Sequence, residues 1–508
     1  MEFIAAAPRP PCNPALRPRY HGTMQRRRFI ASSAAALGLT AARPALAAEP
    51  AQLSAAQRAP IEEAVAKAMT GSGTRGVSVT VARGGTIVYA NGFGLRDVRS
   101  RAPVEAETVF PIGSITKQFT AAAIMLLVRD RRVALDAFAA NYVPLAPHAA
   151  EYTVRQLLQQ TSGLANYTTV PGFVTSIATS TTITPEGLAA LVGRAPLAFK
   201  PGTQFEYSNT NYVILGMIVE AAARVPYARF IEERIAAPLG LAHLSFGPPS
   251  DGTNVARGYE SQTGEAAVAP WSAQSTYAAG GLYAAPSDLV RWDDAFFGGK
   301  LLDASTVKLM TTPPQLPGDK KTEYAMGWIR DALDGHPLIW HNGGVLGANT
   351  RNAYFPDQRI SVIAFGNSVA FDETAIVREA FRALVPPTPS QLAAERERES
   401  TPAAGEDPAI TAAARAEYER WREGKVDLTR YDATMRTALS EATMRQVSSG
   451  LAASGEPTAL VFTGKTALPN GAGTAYSYRV VTRKGAFFYV YSLDRDGKIG
   501  GIWFKPAP

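Results

Sequence analysis

Strand-like patterns occur in two regions that lie far apart in the sequence, and this separation constrains the fold more than any other feature. The first region, 77–90, is rich in valine and is divided by a Gly84-Gly85 turn. The second, 338–365, contains three apolar runs, and helical patterns fill most of the interval between the two regions. Because separated strands pair to bury their apolar faces, we expect an α+β domain whose antiparallel sheet unites both regions, with a helical insertion beside it.

The charge distribution argues against a general affinity for nucleic acid. The formal net charge is +7. Residues 1–47 hold seven arginines against one acidic residue, whereas the rest of the chain holds 44 Lys and Arg against 43 Asp and Glu. A nearly neutral body has no global field that would attract phosphate or anionic lipid. We therefore expect no nucleic-acid partner.

The basic segment 1–47 has the features of a leader for export. Residues 25–30 read Gln-Arg-Arg-Arg-Phe-Ile, a twin-arginine pattern, and an apolar stretch is followed by the small-residue cleavage pattern Ala-Leu-Ala at 45–47. The apolar stretch is too short to span a bilayer, so no stable membrane insertion is expected after cleavage. The segment predicts twin-arginine export and a periplasmic or secreted protein. Translation is predicted to start at Met24, which excludes the single cysteine, Cys12, from the mature chain.

A proline-rich and charged stretch, 386–408, is typical of a linker that does not pack easily. It separates a first domain, 51–385, from a small C-terminal α+β domain, 409–508. Helices are expected in the second domain before an antiparallel sheet of four strands. Their predicted bounds are 409–424, 429–438 and 441–453 for the helices, and 458–464, 475–483, 486–493 and 499–505 for the strands.

Three short motifs of the first domain carry residue types that suit hydrolysis. Ser114-Ile115-Thr116-Lys117 stands at the start of a predicted helix, where a spacing of three places the serine and the lysine on one face. A serine hydroxyl is a poor nucleophile unless a base takes its proton, and a lysine can serve only if its pKa is lowered. The alternative is a serine that caps the helix beside a solvated lysine.

The other two motifs are Tyr207-Ser208-Asn209 and His341-Asn342-Gly343-Gly344. The tyrosine motif is predicted on a loop before a helix, with a capping turn as the alternative. The histidine motif is predicted directly after a strand, where its glycines permit close backbone approach and a backbone N–H can help to form an oxyanion hole. The alternative is a hairpin bulge with an exposed histidine.

Taken together, the motifs resemble those of the serine β-lactamases and penicillin-recognising enzymes, which also include D-alanyl-D-alanine carboxypeptidases and β-lactamase-fold esterases. The Y-S-N and H-N-G forms are similar to the class C branch. The likeness covers roughly 55–385 and implies a β-lactamase/transpeptidase-like fold. Further phrases of this family stand at 157–164, 238–241, 280–283 and 324–328.

The resemblance implies a role for each motif residue. Ser114 corresponds to the acylated nucleophile, Lys117 to its proton acceptor and Tyr207 to the partner base or proton relay. Asn209 corresponds to the hydrogen-bonding residue that orients lysine and substrate. The oxyanion would be held by the N–H groups of Ser114 and Gly344, beside Gly343.

One departure from the family pattern bears on the substrate, because His341 stands where the third motif usually has lysine. The loss of a permanent cation puts efficient hydrolysis of carboxylate-bearing β-lactams in doubt. The expected reaction is hydrolysis of a small-molecule ester, amide or D-amino-acid peptide, of the carboxylesterase, D-peptidase or β-lactam type, with no metal or cofactor. The sequence does not rank these substrates. A catalytically silent binding or assembly protein of the same fold is the alternative from another class.

The sequence lacks the signature motifs of two other hydrolase classes. The chain has no G-x-S-x-G pentapeptide of the α/β-hydrolases. Its five histidines are scattered and form neither H-x-H nor H-E-x-x-H, so the sequence gives no metallohydrolase pattern.

Overall fold

The computed structural model describes residues 52–506, except 194, 251, 261–266, 270, 319, 469–471 and 484. The predicted leader, with Met24 and Cys12, lies outside the described residues. The chain divides after Pro387 into two compact units, which we call the N-terminal unit and the C-terminal unit. None of the helices in the described part of the chain combines the length and apolarity needed to cross a membrane.

The N-terminal unit contains ten strands and ten α-helices within its described residues. In chain order they are α1 (Ala55–Ser72), β1 (Gly76–Arg83), β2 (Thr86–Asp97), β3 (Ala102–Pro103), β4 (Phe110–Pro111), α2 (Thr116–Arg129), α3 (Val154–Leu158), α4 (Pro185–Ala190), α5 (Asn209–Ala223), α6 (Tyr227–Ile231), α7 (Ala237–Leu239), β5 (Ser245–Phe246), β6 (Leu282–Ala284), α8 (Pro286–Phe297), α9 (Ala304–Met310), β7 (Ile329–Leu333), β8 (His336–Val345), β9 (Ala348–Phe355), β10 (Ile360–Gly366) and α10 (Thr374–Leu384).

A seven-stranded antiparallel sheet in the order β3-β2-β1-β10-β9-β8-β7 unites the two strand-rich regions. The join is the pairing of β1 with β10, which runs from Val77 opposite Gly366 to Arg83 opposite Ile360. Strands far apart in sequence thus become neighbours, as the apolar patterns require. The predicted α+β fold with a sheet built from both ends is confirmed.

Helices cover both faces of this sheet. On one face Val79 of β1 belongs to an apolar cluster with Ile61 of α1 and Phe381 of α10. On the other face Phe365 of β10 belongs to a larger cluster that includes α2, α5 and α8. A second sheet, in the order β4-β6-β5, lies within the helical part of the unit. The helix α2 is buried along almost its whole length, which fixes the residues at its start.

In its described residues the C-terminal unit has four α-helices followed by four strands. They are α11 (Pro389–Ser400), α12 (Pro408–Arg422), α13 (Ala433–Ala438), α14 (Glu441–Ser454), β11 (Pro457–Ala467), β12 (Gly473–Thr482), β13 (Gly485–Asp494) and β14 (Ile499–Pro506). The strands form an antiparallel meander in sequence order. Aromatic residues of the helices and strands, among them Tyr418, Trp421, Tyr478 and Tyr489, share one core. The α+β character expected of this region is confirmed.

The stretch 386–408 differs from its prediction as a linker, because α11 occupies Pro389–Ser400. Pro389 stands at the first position of the helix, where its missing N–H removes no intrahelical hydrogen bond. Thr388 is the N-cap residue of the helix and forms a capping box with Gln391. The charged run lies on this helix, which has no buried residue. Its polar side chains are therefore compatible with helical structure.

Candidate active site

Ser114 lies in a 3-10 turn, Gly113–Ile115, and α2 begins only at Thr116. The helix therefore starts two residues later than predicted. Neither turn nor helix takes a side-chain cap, since the N-cap residues are isoleucines without a capping bond. The hydroxyl of Ser114 is thus not used to cap the helix, and the capping alternative is wrong.

Close packing of glycines holds this turn against β8. Gly113 has a positive φ of 50°, and a Cβ there would lie 2.9 Å from the carbonyl carbon of Gly343. A Cβ on Gly343 would in turn lie 1.9 Å from the carbonyl oxygen of Ile112. Only glycine fits both positions. The backbone of Gly343 and Gly344 is thereby brought against the turn that carries Ser114.

Lys117 is fully buried, and its Nζ has three oxygen neighbours. Ser114 Oγ lies at 2.9 Å, Asn209 Oδ1 at 2.8 Å and the carbonyl oxygen of Ala279 at 2.7 Å. None of these groups carries a charge, and burial lowers the pKa of Lys117 well below its ordinary value. A neutral amine fits this environment, because it donates to the amide and carbonyl oxygens and accepts the hydroxyl proton of Ser114.

Tyr207 is half-buried beside this pair, with Lys117 Nζ 4.9 Å from its ring centroid. Burial raises the pKa of Tyr207 well above its ordinary value, the nearby Tyr324 adds to the rise, and a hydrogen-bonding interaction with Ser114 opposes it. The tyrosine is therefore held as a neutral phenol that can donate a proton. Of the two predicted roles, the raised pKa favours the relay over a phenolate base.

Asn209 is the first residue of α5. The helix therefore begins within this motif, whereas the sequence predicts the motif on a loop before the helix. Its Nδ2 donates to Asn166 Oδ1 and to Thr168 Oγ1, both at 3.3 Å, and its backbone N–H also donates to Asn166 Oδ1 at 3.1 Å. These donor bonds turn the amide oxygen toward Lys117. The preceding Ser208 makes no capping bond and donates instead to a backbone carbonyl.

His341 lies within β8 rather than after a strand, and it is 2% exposed, so the alternative of an exposed bulge is wrong. Its Nδ1 is 2.6 Å from the carbonyl oxygen of Asn342, to which it donates, while Nε2 is buried without a hydrogen-bond partner. Burial is the main cause that lowers the pKa of His341 to about 3, and the charge of Arg351 and of Lys117 in its protonated form acts in the same direction. The residue is a neutral imidazole at physiological pH.

The structure thus brings the seven predicted site residues to one place. Gly344 is exposed and Ser114 is partly exposed, so the groups expected to hold an oxyanion face an accessible site. Thr350 of β9 supports them, since its Oγ1 is 3.1 Å from the carbonyl oxygen of Gly343 and 3.2 Å from that of Ile112.

Two side chains beside the predicted set were not assigned from the sequence. Asn166 orients Asn209, and its only signal in the sequence is its position two residues after the family phrase at 157–164. Tyr324 opens the family phrase at 324–328, and its ring lies 5.8 Å from that of Tyr207 and 5.7 Å from that of His341. Both depend on contacts between distant segments, which no local pattern encodes.

Comparison with known proteins places this site in a family context. A family model described as beta-lactamase matches residues 61–386. Penicillin-binding protein 4* of Bacillus subtilis (strain 168) is 26% identical over 310 residues, which cover 57% of this chain and 67% of that protein. About a third of that relative is therefore outside the match.

Two solved structures share the fold. The D-amino acid amidase from Ochrobactrum anthropi SV3, in complex with L-phenylalanine, is 26% identical with a TM-score of 0.57, covering 65% of this chain and 99% of that one. An octameric penicillin-binding protein homologue from Pyrococcus abyssi is 23% identical with a TM-score of 0.59 and covers 88% of this chain and 95% of its own. The second match is longer than the N-terminal unit, so it extends into the C-terminal unit.

Proposed function

The chain belongs to the beta-lactamase family of serine hydrolases, and we propose that it cleaves a carboxylic ester or amide without a carboxylate beside the scissile bond, through an acyl-enzyme on Ser114. The observation that carries this proposal is the contact of buried Lys117 Nζ with Ser114 Oγ at 2.9 Å, among uncharged oxygen neighbours and next to the buried imidazole of His341. Burial lowers the pKa of Lys117 well below its ordinary value, which favours a lysine that can accept the serine proton.

Acylation follows from the contacts around the lysine. Lys117 accepts the hydroxyl proton as Ser114 Oγ bonds to the substrate carbonyl carbon. The carbonyl electron pair moves onto oxygen, where the N–H groups of Ser114 and Gly344 hold the negative charge. When the tetrahedral intermediate collapses, the bond to the leaving group breaks and the acyl-enzyme remains.

Tyr207 completes the proton path. Its neutral phenol donates a proton to the leaving alcohol or amine and regains one from protonated Lys117. In deacylation Lys117, neutral again, takes a proton from water as the water oxygen bonds to the acyl carbon. The proton returns to Ser114 as the carboxylic acid departs, so every group ends in its starting state.

His341 supports the restriction on substrates. A lysine at this position would attract a substrate carboxylate, whereas an imidazole with a pKa of about 3 offers no charge above that pH. Arg351, whose charge acts on His341, stacks on the Trp340 ring at 3.7 Å and pairs with Glu373 at 3.6 Å. Esters and D-amino-acid amides fit this site better than β-lactams or peptides that end in a free D-alanine.

The solved D-amino acid amidase gives specific support for the amide branch of the proposal. A catalytically silent binding protein is disfavoured, because the nucleophile, the base, the relay and the orienting amide are all present in contact geometry.

The test is a substrate panel of p-nitrophenyl esters, D-amino-acid amides, nitrocefin and D-alanyl-D-alanine peptides, with Ser114→Ala as the matched control. We expect turnover of esters or D-amino-acid amides that exceeds that of the carboxylate-bearing compounds, and none by the control variant. Preferential hydrolysis of nitrocefin would contradict the substrate class, and equal rates in Ser114→Ala would contradict the nucleophile.

Export through the twin-arginine pathway is a further part of the proposal, supported by the sequence of 1–47 alone. Replacement of Arg26 and Arg27 by lysine should retain the chain in the cytoplasm, whereas Arg28→Lys should not. Cell fractionation measures the difference, and equal export of the two variants would contradict this route.

A further inference from the structure

A continuous series of aromatic rings leads from the reaction centre to the surface. Tyr207 contacts Tyr324 with ring centroids 5.8 Å apart, and Tyr324 contacts Phe205 at 5.7 Å. Tyr324 is 3% exposed, whereas Phe205 is 36% exposed. An exposed phenyl ring beside a reactive site has apolar surface for which the protein itself provides no cover.

Contacts with neighbouring segments hold the backbone at both Phe205 and Tyr324. The segment with Phe205 is fixed along Gln160, whose carbonyl accepts the N–H of Glu206 at 3.0 Å and whose Oε1 accepts that of Ser208 at 3.1 Å. Tyr324 belongs to a turn packed against α2, since a Cβ on Gly327 would lie 2.7 Å from the carbonyl oxygen of Lys117. The backbone that carries both rings is therefore held in place by the protein itself.

We propose that Phe205, with the buried Tyr324 packed behind it, forms a specificity subsite for an apolar group on the leaving side of the substrate. This inference rests on the proposed function and adds the chemistry of the departing alcohol or amine. The leaving atom has to lie within reach of the Tyr207 hydroxyl, which donates its proton. Tyr324 adjoins Tyr207 and connects it to Phe205. An aryl or branched alkyl leaving group can cover Phe205 while its oxygen or nitrogen stays at Tyr207.

The experiment compares phenyl, 4-methylphenyl and 4-tert-butylphenyl acetates. The three compounds have the same acyl group and closely similar leaving-group chemistry, but increasing apolar surface. We expect kcat/KM of the wild type to increase from phenyl acetate to 4-tert-butylphenyl acetate. In Phe205→Ala the ratio of kcat/KM between these two compounds should be about 5–20-fold smaller. Phe205→Leu, which keeps apolar surface, should retain part of the wild-type ratio.

Phe138→Ala is the matched control, because Phe138 is also an exposed phenylalanine of the same unit, at 49%. A second series with a fixed phenol and acyl chains from acetyl to hexanoyl should respond equally in wild type and Phe205→Ala. An unchanged rise along the acetate series in Phe205→Ala, or an equal loss in Phe138→Ala, would overturn the subsite. A change confined to the acyl series would overturn its assignment to the leaving side.

These outcomes separate the subsite from the proposed function. Ester turnover through Ser114 with no dependence on Phe205 would leave the function intact and refute the subsite alone. No ester or amide hydrolysis and no covalent adduct on Ser114 would refute the function and the subsite with it.

Discussion

Each of the two units buries an ionisable side chain completely, but the neighbours of that side chain are uncharged in one unit and charged in the other. Lys117 of the N-terminal unit has only uncharged oxygen neighbours. Glu417 of the C-terminal unit accepts from Tyr431 at 2.7 Å and pairs with Arg420 and Arg430, both at 3.0 Å. A buried charge without a counter-charge is driven to its neutral form, whereas a paired charge can persist.

The difference shows how burial creates either a reactive group or a structural one. Without a carboxylate nearby, Lys117 loses its proton and becomes a base for Ser114. With two guanidinium groups and a tyrosine hydroxyl, Glu417 joins α12 to the segment that carries Arg430 and Tyr431. The number of counter-charges, rather than the depth of burial, distinguishes a base from a structural ion pair.

The largest effect should come from Lys117→Met, which fills the same volume without a base. We expect a loss of about 10⁴-fold in kcat for the substrate found in the panel, because Ser114 then has no proton acceptor. Steady-state kinetics and far-UV circular dichroism measure activity and folding. Near-wild-type turnover by a folded variant would show that another group is the base.

Asn166→Ala should have an intermediate effect. Without Asn166 the residue Asn209 loses two of its three donor bonds, one made by its backbone N–H and one by its side-chain amide, so its amide oxygen is held less firmly toward Lys117. We expect kcat to fall by about 10–100-fold with little change in KM. Thr168→Val removes only the third bond and should cost less. A loss in KM alone would contradict a positioning role.

Glu417→Gln should destabilise the C-terminal unit and leave the chemistry unchanged. The loss of the carboxylate removes the counter-charge of two partly exposed arginines, so we expect a decrease of about 1–2 kcal/mol in unfolding free energy. Denaturant unfolding measures it, with kcat/KM as the control. A large fall in kcat/KM at unchanged stability would contradict the structural role.

The smallest expected effect is on the free energy of unfolding, which the burial of Lys117 in its neutral form reduces. The unfolded chain keeps the Lys117 proton up to about pH 10, whereas the folded state releases it at lower pH because its pKa is lowered. The unfolded state binds more protons in this window, so stability rises with pH there and is reduced at neutral pH. Lys117→Met should therefore stabilise the fold at pH 7 by about 1 kcal/mol. A destabilised variant would refute this.

The sequence predicted the elements that depend on local patterns. The valine alternation located β1, and the apolar runs located β9 and β10, because half-buried and buried strands need those residues. The three motifs likewise identified the side chains that meet at the site. In the C-terminal unit the predicted bounds of α12, α14 and β13 lie within two residues of those observed.

What the sequence could not predict depends on contacts between distant segments. The local pattern predicts the histidine motif directly after a strand, yet β8 pairs with β9 from Ile339 to Val345 and so includes His341. Proline and charge in 386–408 predict a linker, although Thr388 caps a helix there. Asn166 orients Asn209 across 43 residues of sequence, which no local pattern can indicate.

The most direct test of the central claim is the rate at which a fluorophosphonate labels Ser114, measured against pH by intact-protein and peptide mass spectrometry. We predict a single adduct on Ser114, formed readily at neutral pH and more slowly as the pH falls and Lys117 gains a proton. The absence of an adduct would contradict the account. So would labelling that becomes efficient only near pH 10, the ordinary pKa of lysine, because Lys117 would then hold its proton in the folded protein.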